Sequence, residues 1–235
     1  MLLNLIFHHI STTPLSDDHW AITPEKYWSV IDMINQLIKT QKVPYEDYRI
    51  YFDDGYSSFY DFIYKDIPEK ELSRYTLAIV TDDVDTPNHM TLQQLKEIHE
   101  TGIHMSSHGV SHASIAIYID NVIQTTPLGG IYQNCPWGQG KALSEREVLY
   151  QLQESKKFLE KYFGIIDEFV FPFGIYNNQV IALNDKYGLY RYMSTCDEVL
   201  DHGQFLRPRY LIYNTKSMEQ IKDELMNIKN QYELL

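Results

Sequence analysis

Short apolar runs alternate with longer amphipathic stretches along the whole chain, and this rhythm limits the possible folds more than any other feature. Leu2–Phe7, Arg49–Phe52, Thr76–Val80, Ile103–Ser107 and Phe169–Phe171 have the length and character of strands. Pro24–Lys39 places Trp28, Ile31, Ile34 and Leu37 near helical spacing, and Thr91–Glu100 reads as a helix too. Ser144 with Glu147 forms a capping-box pattern ahead of a long helix ending at Gly164, and Ser217 with Gln220 opens a last helix in the same way. Asn178–Tyr187 reads as helical, Leu189–Ser194 and Tyr210–Tyr213 as extended. Alternation of this kind implies an α/β fold with a mostly parallel sheet, open or closed into a barrel. At 235 residues and 44% hydrophobic content one sizeable core is expected. No repeat, low-complexity tract or linker divides the chain, so residues 1–235 read as a single domain.

A net charge of −12 argues against nucleic acid or an anionic membrane face as partner, since both call for basic patches. The acid is spread out, as in Asp66 to Glu71, which marks solvated surface. Cys135 and Cys196 have no spacing that suggests a cysteine zinc site or a disulfide framework, so free thiols in a reducing compartment are expected. The opening MLLNLIFHHI lacks the basic flank and cleavage site of a signal peptide, and no run approaches a membrane span. The expectation is a cytoplasmic protein with no transmembrane segment.

Two stretches carry chemistry. In RIYFDDGYSS an apolar run ends abruptly in Asp53-Asp54-Gly55. Asp and Gly are favoured in turns, so a plain turn is one reading; a metal ligand or an acid–base group is the other. In barrels, chemistry gathers at the C-terminal ends of strands, where this pair falls. The second stretch, SHGVSHAS, follows the strand at Ile103–Ser107 and sets His108 and His112 four apart. If Val110 and its neighbours start a helical turn, both imidazoles share one face. Two imidazoles and one carboxylate make a zinc ligand set that leaves a position open for water.

In order and spacing, YFDDGYSS, HETGIHMSSHGVSH and FVFPFGIYN resemble the motifs of the polysaccharide deacetylase family, carbohydrate esterase family four. The usual forms are Thr-Phe-Asp-Asp-Gly, a Gly-rich approach to His-Ser/Thr-x-x-His, and a Pro-Tyr-Gly or Arg-Pro-Pro-Tyr segment, here the Pro-aromatic-Gly of PFG. The last is nearest to the poly-N-acetylglucosamine deacetylase-like subgroup. The resemblance implies a distorted (β/α) barrel that uses one divalent metal to remove N-acetyl groups from an amino sugar in a carbohydrate substrate. Carried over, Asp54, His108 and His112 hold the metal, Asp53 is the general base, and the backbone N–H of Phe173 holds the oxyanion. Zinc suits the ligand set best, with cobalt or nickel as alternatives.

The chain departs from the usual pattern in three places. Phe171 and Pro172 occupy the place of the arginine that orients the base in many members, and Arg209 in FLRPRYLIYN, with Arg207 beside it, matches the later arginine of the subgroup. The late Leu-x-His segment is missing; His202 reads as surface, and His8 is the better candidate to face the site, with His9 pointing the other way. His104 is expected inside the barrel in a structural role. Finally, residues 116–143 form a longer connection than usual, in which Trp137 could stack on a sugar. The same site on a small amide or cyclic imide, or an inactive glycan-binding relative, are the competing readings.

Overall fold

The computed structural model describes residues 1–14, 18–115 and 143–228, with the backbone of 118–119 and 122–123. The chain opens with β1 (Leu2–Phe7), followed by the short β2 (His9–Ile10) and β3 (Ala21–Ile22), which pair with each other. Helix α1 (Pro24–Lys39) comes next, then β4 (Asp47–Phe52), α2 (Ser57–Phe62) and β5 (Tyr75–Ile79). After α3 (Leu92–Glu100) and β6 (His104–Ser107) lies a small antiparallel pair, β7 (Tyr118–Ile119) and β8 (Val122–Ile123). The long α4 (Glu145–Phe163) leads to β9 (Glu168–Val170), α5 (Asn178–Tyr187), β10 (Tyr192–Ser194), β11 (Leu206–Arg207), β12 (Tyr210–Leu211) and α6 (Met218–Met226).

Eight of these strands form one parallel sheet in the order β11-β10-β9-β6-β5-β4-β1-β12. Its two edges lie on the same stretch of chain. β11 pairs with β10 through Met193 and Ser194, and β12 pairs with β1 through Leu5 and Ile6. Only Pro208 and Arg209 separate the two, so residues 206–211 serve as one stave shared by both edges. Pro208 has no N–H to give to a ladder, which interrupts the strand there. The seam is sewn further by Asn4, whose Nδ2 donates to Asp201 Oδ2 and to the Pro208 carbonyl, each at 3.0 Å. The sheet therefore curls into the distorted (β/α) barrel expected from the sequence.

Strand alternation sorts the core into two parts. Leu3, Leu5, Ile50, Phe52, Leu77 and Phe169 face outward into the main cluster beneath the helices. Ile6, Cys196 and Leu211, and separately Tyr51, Ala78 and Val170, form two small clusters inside the ring. Helix α1 starts where Thr23 accepts from the Lys26 N–H, and buries Tyr27, Val30, Ile31, Ile34 and Leu37. Trp28 sits at the margin of that face, not on it. Both expected capping boxes form, at Ser144–Glu147 and Ser217–Gln220, and Gly164 ends α4 at φ 74°. Among the described residues no helix is long and apolar enough to cross a membrane.

Candidate active site

Asp53 follows the last residue of β4, and its N–H donates to the Phe7 carbonyl at 2.9 Å, which carries the strand register one residue further. The chain then turns through two left-handed residues, Asp54 (φ 73°) and Gly55 (φ 79°). Asp tolerates this conformation better than most side chains, and glycine adopts it freely. Met90 N–H donates to Gly55 O at 2.9 Å, and Ser57 N–H to Asn88 O at 2.8 Å, so the loop after β5 braces the turn. The break in alternation is what lets adjacent carboxylates reach one site.

The two imidazoles arrive by a route the sequence reading did not foresee. Residues 108–112 make no helical turn; Gly109 (φ 85°) and His112 (φ 53°) bend the loop back instead. Gln151 of α4 holds that bend. Its Oε1 accepts from Val110 N–H at 2.8 Å and Ser111 N–H at 3.1 Å, and its Nε2 donates to Ser111 Oγ at 3.0 Å. The signal in the sequence was a polar residue on the buried face of α4, between Val148, Leu152 and Ser155.

The ligand atoms of Asp54, His108 and His112 lie within 4.8 Å of one another. His108 Nε2 is 3.4 Å and His112 Nε2 3.2 Å from Asp54 Oδ1. His108 Nδ1 lies 2.9 Å from the Val170 carbonyl; a carbonyl only accepts, so Nδ1 carries the proton and Nε2 turns its lone pair to the cluster. Asp54 Oδ1 is buried and has no hydrogen-bond partner. An orphaned carboxylate oxygen between two imidazoles fits a divalent cation by both donor chemistry and charge. Burial raises the Asp54 carboxyl, but His108 and His112 outweigh it and hold it well below the usual carboxylate range. Burial, then His108, push the His112 imidazole down to about 4, which keeps it neutral and free to ligate.

Asp53 has a different environment. Arg209, fully buried at 0% exposure, grips it with both arms of the guanidinium, Nη1 to Oδ1 at 2.8 Å and Nη2 to Oδ2 at 3.0 Å. Arg209 Nε donates to the Thr195 carbonyl at 3.2 Å, and the guanidinium lies over the Tyr51 ring. Burial would raise the Asp53 pKa; Arg209, then His108 and His8, more than offset it, and the net shift is downward. A cavity of about 390 Å³ opens over both carboxylates. His8 lines it, packed on Trp20 with ring centroids 4.9 Å apart, and burial lowers its pKa. Phe173 stands at the opposite wall against His112, in a left-handed turn (φ 59°, ψ 8°) after β9.

Several expectations need correction. His9 does not point away; it lines the same cavity beside Tyr56, because β1 ends at Phe7 and alternation stops there. His104 is exposed at the start of β6, at the far mouth of the barrel. Arg207 also serves the far end, where it pairs with Glu168. His202 is exposed, as expected. Trp137 and Cys135 lie outside the described residues.

Fold and cluster together define a parallel (β/α) barrel with a candidate divalent-metal site at the C-terminal ends of its strands. The family profile of polysaccharide deacetylases matches residues 41–192, and the chain belongs to that family. Asp53, Asp54, His108, His112 and Phe173 fall inside the matched stretch; His8 and Arg209 fall outside it. No curated protein matches the sequence. Among solved structures, the chain is similar to a de-N-acetylase from Aggregatibacter actinomycetemcomitans (TM-score 0.68, 17% identity, 95% of this chain and 99% of that one). IcaB from Ammonifex degensii aligns with TM-score 0.67 and 13% identity over 96% of this chain and 97% of its own. The Streptococcus pyogenes deacetylase PplD, solved in complex with acetate, gives 0.66 and 17% over 95% and 97%.

Proposed function

We propose that the chain is a metal-dependent N-deacetylase acting on an N-acetylated amino sugar within an oligosaccharide, glycolipid or polysaccharide precursor. The observation that carries this is the contrast between the adjacent carboxylates: Asp53 aligned by an arginine fork, Asp54 with an orphaned oxygen between two imidazoles. A relative that only bound glycans would have no need of an aligned base. Family membership and the similarity to deacetylases support the reaction class.

Asp54, His108 and His112 would hold a divalent ion, zinc by ligand set, with cobalt or nickel also suited, and when bound it would supply a water of lowered pKa and a polarised amide carbonyl. Asp53 stays ionised through the neutral range and takes the proton of the attacking water. Arg209 keeps that carboxylate from rotating. The Phe173 N–H donates to the developing oxyanion, a contribution of about 2.7–4 kcal/mol in comparable sites. The proton that Asp53 takes from the water is passed on to the leaving amine, with His8, a neutral imidazole on the cavity wall, as its relay.

Elemental analysis of the purified protein alongside acetate release from N-acetylglucosamine oligomers tests the reading. Stoichiometric metal with acetate release supports it. Metal without acetate moves the site to a small amide or cyclic imide, which a cavity of about 390 Å³ also admits. No metal after added zinc, cobalt or nickel removes the Asp54–His108–His112 site.

A further inference from the structure

Cys196 has no role in the chemistry above, yet it sits between the two groups whose separation that chemistry depends on. It is 4% exposed, free, and lines the catalytic cavity from the exit of β10. On one side its Sγ is 4.0 Å from Arg209 Nη2, the arm that holds Asp53 Oδ2. On the other it backs the Phe173 turn: a Cβ added at Gly174 would lie 2.8 Å from both Cβ and Sγ of Cys196. Gly174 is itself left-handed (φ 66°), so the turn has neither the room nor the conformation for another residue there. Burial pushes the thiol up to about 12, which leaves a neutral, compact, polarisable group and no nucleophile.

Its chain neighbours tie down the same two partners. The Thr195 carbonyl accepts from Arg209 Nε, and the Ser194 carbonyl accepts from the Phe171 N–H at 3.0 Å. Asp197 Oδ2 accepts from the Tyr176 hydroxyl at 2.8 Å, just beyond the turn. The exit of β10 thus grips the guanidinium with one residue and the oxyanion turn with others, and Cys196 fills the space between them. Below it, Ile6 and Leu211 close the packing.

We infer that Cys196 is a positioning residue that sets the distance between the general base, through Arg209, and the oxyanion donor at Phe173. This rests on the deacetylase reading for the roles of those groups. A displacement of either by a fraction of an ångström is felt in the transition state more than in substrate binding, so kcat carries the effect.

Three variants of the full, metal-loaded chain test this. Cys196→Val adds a methyl group where Gly174 and Arg209 leave none, and lowers kcat about a hundredfold with KM changed less than about twofold. Cys196→Ala removes the spacer and lowers kcat about tenfold, and Cys196→Ser, close in shape, recovers most of that loss. Metal content stays at the wild-type level in all three. Crystal structures give a readout independent of turnover: in Cys196→Val the Arg209 fork or the Phe173 turn is displaced, and in Cys196→Ser both superpose on the wild type. Should Cys196→Val fail to fold, Cys196→Ala carries the same test by inward movement of the turn. The inference is overturned if both groups keep their places in the Val or Ala variant, or if kcat falls only in proportion to the folded fraction. A wild-type chain that releases no acetate counts against the deacetylase reading alone, and the structures then decide the positioning role.

Discussion

Among the described residues an arginine–carboxylate pair sits at each end of the barrel interior, fully buried at one end and partly buried at the other, and both arginines come from the same stave. At the far end Arg207 Nη1 donates to Glu168 Oε2 at 2.9 Å, and Glu168 Oε1 accepts from Tyr51 OH at 3.0 Å and from Ser194 Oγ. Both Glu168 oxygens are satisfied, with Arg207 Nε left unpaired, and the pair is a plug. At the cavity end Arg209 covers Asp53, but the next residue, Asp54, keeps an orphaned oxygen facing two imidazoles. The difference lies in the saturation of the carboxylate oxygens. A charge pair that closes on itself holds a structure together; one left open beside an unmet acceptor is available for chemistry.

The comparison is sharpest at Asp53 and His108. Asp53→Asn lowers turnover by roughly 10²–10⁴-fold while metal content is unchanged, whereas His108→Ala loses both, as activity assays with elemental analysis would show. Full activity in Asp53→Asn would remove the proposed base. Arg209→Met leaves Asp53 buried without its partner, with an expected stability loss of about 3–5 kcal/mol by urea denaturation and a loss of activity besides. At the far end, replacing Glu168 and Arg207 together by Gln and Met removes both charges at once. It changes stability by less than breaking either pair singly, and leaves kcat near wild type; a large fall in kcat would mean the two ends are coupled.

A smaller effect tests the support of the Phe173 turn. Burial pushes the Asp197 carboxyl up to about 6 from an ordinary 3.8, against the lowering effects of Thr195 and then the Tyr176 hydroxyl. Between those values the folded chain binds a proton that the unfolded chain does not. Stability contributed by this group is therefore present at low pH and is lost as pH rises through that window, by about 2–3 kcal/mol. Asp197→Asn flattens the slope, measured by urea denaturation from about pH 4 to about pH 7. An unchanged slope would place the titration elsewhere. The smallest effect is expected at Ser144→Ala, which removes one capping box of α4 at a cost of about 1 kcal/mol.

Much of this was legible in the sequence because the signals were local. Apolar runs and capping boxes place α1, α4 and α6, strand–helix alternation implies a mostly parallel sheet, and the family resemblance implies its closure into a barrel. The strand starting at Glu168 was read one residue late because a buried carboxylate looks like a loop until Tyr51, Ser194 and Arg207 are brought to it. Helix α2, with its run SSFYDF, carries no cap or amphipathic period long enough to announce itself. The Asp54–His108–His112 cluster was found from strand-end placement, although the helical turn assumed for the histidines is a bend held by Gln151. That clamp, and the place of Cys196 between Arg209 and the Phe173 turn, depend on contacts far apart in sequence that no local pattern encodes.

The shared stave has a consequence for how the protein comes into being. Residues 206–211 reach β1, which lies about two hundred positions earlier in the chain, and β10 as well, and Arg209 is carried within them. A nascent chain that has emerged only as far as β10 has two open parallel edges and an Asp53 with no counter-charge. Such long-range closure is slow to form. Ring completion and the pairing of Asp53, the proposed base, with Arg209 are then a single event.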